Sequence, residues 1–114
     1  MVPVAEEGFF ESAMVGGAVG EDGNVETEVT TFRRNQPIYV TVHANEVPTG
    51  LAARVVWFDP KKKEIGMETK PVPVDTKVVT FRAPSTRSWQ PGKYRVEIWL
   101  GGDQVADEEI VIRK

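Results

Sequence analysis

Trp89-Gln90-Pro91-Gly92-Lys93-Tyr94-Arg95-Val96-Glu97-Ile98-Trp99-Leu100 settles the architecture more than any other part of the chain. A Pro-Gly turn feeds a run with Tyr94, Val96, Ile98 and Leu100 on one side. Arg95, Glu97 and Trp99 fall on the other. A period of two, apolar against polar, is that of a strand with one face buried. The stretch speaks to architecture rather than to chemistry, and no set of residues elsewhere makes a convincing active site.

The same period recurs on either side of it. Ile38, Val40, Val42 and Ala44 alternate with Tyr39, Thr41 and His43. Leu51 to Phe58 is the most apolar run and is expected near the middle of a sheet. Asp59-Pro60-Lys61-Lys62-Lys63 reads as a charged hairpin tip. Glu64 to Val74 is strand-like but carries Gly66, Pro71 and Pro73, which places it on an edge. Lys77 to Arg82 puts Val79 and Phe81 on one face. Gly101-Gly102 before Gln104 to Ile112 is a hairpin signal. Toward the N-terminus, Gly8 to Val19 carries Phe9, Phe10, Met14 and Val15. Glu26 to Phe32 alternates with β-branched residues. No segment holds a helical period. The expectation is an all-β chain: an antiparallel sandwich of seven or eight strands forming one domain over 1–114. Residues 1–27 would be an N-terminal strand and loop packed on it.

Composition sets limits. At 114 residues the chain can bury a two-layer core without disulfides, and it has no cysteine to form them. The missing thiol also excludes cysteine nucleophiles and thiolate metal sites. A net charge of −3 has the wrong sign for a nucleic-acid binder. No apolar run approaches the roughly 18 residues of a membrane span. Met1-Val2-Pro3-Val4 lacks the basic start and apolar stretch of a secretory leader, so the chain reads as cytoplasmic or as a mature segment.

Ile38-Tyr39-Val40-Thr41-Val42, Ala53-Arg54-Val55-Val56-Trp57-Phe58, Val79-Thr80-Phe81 and Trp89 through Ile98 resemble successive strands of bacterial immunoglobulin-like or fibronectin-type-III-like modules. The resemblance covers about residues 28–112. It rests on a strand-borne Trp57 and on a W-x-P-G-x-Y-x-V entry to the penultimate strand. Tyr94, two residues after Gly92, resembles the tyrosine corner of such sandwiches. Antibody-type domains carry a cysteine pair behind the tryptophan, and this chain does not. The resemblance implies a fold, a binding or structural role, and an extracytoplasmic setting in a bacterial cell-envelope or secreted protein. It transfers no catalytic residue.

Each residue with chemical potential has a plain structural reading. His43 lies on the strand face away from Val40 and Val42 and reads as a sheet-surface residue. Ser12, Ser85 and Ser88 sit in no nucleophile motif. Gly16-Gly17-Ala18-Val19-Gly20 lacks the Gly-Lys-Ser/Thr ending of a phosphate loop and reads as a flexible connection. Glu21-Asp22-Gly23-Asn24 lacks calcium-loop spacing and reads as a turn. Asp103, Asp107, Glu108 and Glu109 read as charges guarding an edge, and Lys61 to Lys63 as a solvated tip. The chain is therefore expected to be no enzyme, with no cofactor and no metal.

The aromatic residues hold the functional promise. Trp57 belongs in the core and Trp89 at the end of the sandwich. Trp99 is out of phase with the core residues of its own strand. With Val56, Phe58, Arg95 and Val111 it forms a candidate interface on the outer face. The competing expectation is that Phe9 to Val15 folds across that face and covers it. The function expected is protein binding, through a protein partner or self-association, without nucleic acid or membrane insertion. The alternative is a glycan-binding module using Trp99, Trp89 and Tyr39.

Overall fold

The computed structural model describes residues 9–114. The N-terminal part of the domain expectation, residues 1–8, lies outside the described residues. Eight strands follow in order: β1 (Phe10–Gly16), β2 (Thr31–Arg33), β3 (Tyr39–Ala44), β4 (Ala52–Phe58), β5 (Glu64–Pro71), β6 (Val78–Arg82), β7 (Gly92–Leu100) and β8 (Asp103–Arg113). They form two sheets, β1-β3-β6 and β2-β8-β7-β4-β5. All pairings are antiparallel except β2 on β8, which is parallel over Thr31–Arg33.

The period of two places the core. Val40, Val42 and Phe81 point inward from the smaller sheet, and Val55, Trp57, Tyr94, Val96 and Ile98 from the larger. All are buried, and Phe32, Ile110 and Ile112 join them. Packing alone stands where a disulfide might have been. Under the Pro91–Gly92 turn the aromatic rings form a series. Trp89 stacks on Tyr94, centroids 4.6 Å apart, and meets Trp57 at a tilt of 56°. The Tyr94 hydroxyl donates to the Gln90 carbonyl at 2.8 Å, closing the tyrosine corner.

β5 is an edge strand, as its Gly and Pro residues require. Lys70 on β5 donates from Nζ to the Thr80 carbonyl on β6 at 2.8 Å, tying the two sheets together at their open side. β8 is covered by β2 only at Val111–Arg113, so among the described residues its acidic stretch from Asp103 to Glu109 is an edge with no strand beyond it.

Three expectations need correction. Glu26 to Phe32 is not a strand along its length; only its end enters β2. The Gly16 to Gly20 run does connect two strands, but Gly16, Gly17 and Gly20 are each crowded by neighbouring atoms. The run opens a strap, residues 17–30, that crosses the outer face of the smaller sheet. The Val25 amide donates to Thr41 Oγ1 at 2.8 Å, and Thr80 Oγ1 donates to Asn24 Oδ1 at 3.0 Å. Thr41, on the outward face of β3, is fully buried beneath this strap. The Glu21-Asp22-Gly23-Asn24 turn is its tip, with the Asn24 amide on Asp22 Oδ1. Finally, β1 is an integral strand of the smaller sheet, paired to β3 from Phe10 to Gly16. It does not lie over the larger sheet, so the covering role expected of Phe9 to Val15 is excluded.

Candidate binding face

The outer face of the five-stranded sheet is built by register. β4 presents Arg54, Val56 and Phe58. β7 places Trp99, Glu97 and Arg95 directly opposite them. β5 adds Met67 opposite Val56, and β8 adds Asp107 opposite Glu97. Four of the five expected interface residues therefore come together: Val56, Phe58, Arg95 and Trp99. Val111 shares the face but pairs with Lys93, beyond the Arg95–Glu109 rung. It belongs to the far end of the sheet and not to the Trp99 cluster.

The cluster is organised by its own charges. The Arg54 guanidinium lies over the Trp99 ring at 5.3 Å, and that of Arg95 over Phe58 at 4.8 Å. Glu97 joins the two halves. It accepts from Trp99 Nε1 at 3.2 Å and from Arg95 at 2.9 Å. Asp107 pairs more loosely with Arg95 at 3.6 Å. Such contacts fix rotamers before any partner arrives, which lowers the ordering cost of binding. Val56 is buried beneath these side chains, while Met67 is 55% exposed beside them.

Met67 escaped the sequence reading. Ile65 and Met67 flank Gly66, and Pro71 and Pro73 mark an edge strand without marking which face it presents. The bulge between Trp57 and Phe58 shifts the register there, so a residue count along β5 does not by itself place Met67 beside Val56.

One end of the face opens into a concavity of about 510 Å³. It is lined by Phe58, Asp59, Pro60, Lys62, Lys93, Tyr94, Arg95 and Glu109. The charged hairpin supplies one wall. Asp59 Oδ1 accepts from the Lys61 and Lys63 amides, each at 2.9 Å, and the Lys62 amide bonds back to the Asp59 carbonyl. Pro60 seats against Gly92, where a Cβ would come within 2.8 Å of its ring.

The remaining polar residues of interest lie apart from one another. His43 is half-buried and faces Ser12 across the β1–β3 ladder. Ser85 lies in the loop before β7 with Ser88, well along the chain from that rung. Among the described residues, no three acidic or histidine side chains are placed to hold a metal ion. Of the candidate sugar-stacking aromatics, Trp89 is buried against Tyr94, which corrects its candidacy. Tyr39 carries the Arg82 guanidinium over its ring at 5.7 Å.

No protein-family model matches the chain, and no curated protein is similar to it. Solved structures are. An immunoglobulin-like protein from Pseudomonas aeruginosa superposes with a TM-score of 0.66 over 92% of this chain and 94% of its own, at 8% identity. The fold is immunoglobulin-like. A Pseudomonas fluorescens alkylpurine DNA glycosylase, AlkC, solved with DNA containing an abasic-site analogue, gives a TM-score of 0.53 at 12% identity. There this sandwich matches 93% of its own length but 30% of the enzyme. At such identities the likeness carries architecture alone.

Proposed function

We propose that this immunoglobulin-like sandwich is a non-catalytic protein-binding module, an accessory domain of a bacterial cell-envelope or secreted protein, and that it docks through the outer face of its larger sheet. The observation that carries this reading is the unequal cover of the two sheets. The outer face of the smaller sheet lies under the chain's own strap at Asn24 and Val25. The outer face of the larger sheet has Trp99, Phe58 and Met67 with no described segment over them. Aromatic and Arg side chains held in place are the usual anchors of an interface. Bacterial origin is consistent with both structural neighbours coming from Pseudomonas.

The glycan alternative is weaker. Stacking a sugar needs a free aromatic face, and Trp99, Phe58 and Tyr39 each carry a guanidinium on one of theirs. The test is Trp99→Ala. Association with the captured protein partner should weaken by about 2 kcal/mol or more, and the melting temperature should hold. Unchanged association together with a collapsed melting temperature would reject the reading.

A further inference from the structure

The concavity at the hairpin end carries a charge opposite to that of the molecule. The chain as a whole is −3. Lys62, Lys93 and Arg95 nonetheless converge on this one hollow, with Lys61 and Lys63 on the same hairpin. Of the two acidic side chains there, Asp59 keeps its charge but turns Oδ1 to the backbone amides of Lys61 and Lys63. Glu109 is the other. Neither Lys62 nor Lys93 forms an ion pair with another described residue, so their charges are unspent within the fold.

Lys62 stands at a position the backbone does not favour. Its φ is +68°, the left-handed region. The Asp59–Lys63 hairpin is a turn followed by one left-handed residue, a place where glycine is the ordinary choice. A lysine there costs about 1 kcal/mol relative to glycine. The strain is local, and the side chain it carries lines the concavity. Strain of this kind points to function when the strained residue faces a site.

The walls indicate what fits. Phe58 and Pro60 supply apolar surface, Lys62 and Lys93 attract a negative group, and Glu109 offers an acceptor, while Arg95 is already paired with Glu97 and Asp107. Glu109 repels a dianionic phosphate more strongly than it repels a single carboxylate. A peptide bearing carboxylates supplies both the negative group and main-chain N–H donors. We propose that this concavity binds an acidic side chain of the protein partner, from an Asp- or Glu-rich segment that continues onto the Phe58–Arg95 end of the open face. This rests on the docking reading given above and names the chemistry of the partner at one end of it.

The test titrates the isotope-labelled protein with blocked hexaglutamate. Hexaglutamine, inorganic phosphate and a short oligothymidylate serve as comparisons at matched ionic strength. Hexaglutamate should shift the amides of residues 58, 59, 61–63 and 92–95, with a response that fades as salt rises. Lys62→Gly, which relieves the turn and so keeps the fold, combined with Lys93→Gln, should weaken binding about tenfold. Three results would overturn the proposal: no shift in those amides, equal binding of phosphate or oligothymidylate, or indifference to the double substitution. Trp99→Ala separates the two ideas, because Trp99 lies at the far end of the face. Hexaglutamate binding lost with Trp99-dependent association retained rejects the concavity alone. The reverse pattern rejects the open face and leaves the concavity.

Discussion

Tyr94 shows how much one residue can fix. Its ring lies in the core against Trp89, and its hydroxyl reaches back to Gln90. Burial, set against that hydrogen bond, raises its pKa above the ordinary 10.0. The folded state therefore holds the proton more tightly than the unfolded chain does. The resulting stability is full below pH 10 and is lost as pH rises through the folded-state value. Tyr94→Phe should cost about 1 kcal/mol at neutral pH, the usual net worth of one hydrogen bond. It should also flatten the alkaline limb of the stability curve, as denaturant melts across pH would show. Trp57 is a plainer case. It is 1% exposed, and its indole N–H has no hydrogen-bond partner among the described residues. Packing thus outweighs the desolvation of that group. Trp57→Ala should cost about 3–5 kcal/mol in denaturant melts. A loss under about 1 kcal/mol would mean that β4 is out of register.

Among the strands, the sequence is legible where one strand obeys one sheet. β3, β4, β6 and β7 follow their period of two, and their inward residues could be named in advance. The stretch from Gly17 to Thr30 could not be read that way. Val25 and Val29 look like strand residues, yet Val25 bonds to the Thr41 side chain and Val29 to the Val15 carbonyl. A segment crossing from one sheet to the other satisfies its backbone piecemeal, and local alternation carries no sign of this. The strap's approach also explains Gly16. A Cβ there would come within 2.7 Å of Val25 Cγ1 and 2.8 Å of the Thr27 carbonyl oxygen. Because one obstacle is backbone, Gly16→Ala should destabilise by about 1–3 kcal/mol, the cost of overpacking. Nearby, Glu108 has its pKa raised from 4.5, by burial first and then by Glu28 and Asp107. Its charged form is disfavoured on folding, so stability falls as pH rises through the carboxylate range. Glu108→Gln should raise the neutral-pH melting temperature and leave stability below that range unchanged.

Across the whole molecule, the two sheets differ in cover, and β5 has one side toward the core and the other on the face proposed above for docking. Lys70 reaches inward to Thr80 at 2.8 Å, its ammonium 5.4 Å from the Phe81 ring centroid. Met67 points outward beside Val56. Substitutions at these two positions should therefore separate. Lys70→Met removes a charge-assisted hydrogen bond and a cation–π contact at the side where the sheets meet. The expected loss is about 1–2 kcal/mol of stability, with association unchanged. Met67→Lys adds a charge to the exposed cluster near Arg54 and Arg95. Stability should shift by no more than about 0.5 kcal/mol, the ordinary range for an open surface position, while association weakens. Melting curves and sedimentation with the partner, run on both variants, read the two quantities independently. If Met67→Lys left association intact, the docking surface would have to exclude β5 and be confined to the Arg54–Trp99 and Phe58–Arg95 pairs of β4 and β7. If it lowered stability as far as Lys70→Met does, Met67 would be packing against the fold and not facing a partner.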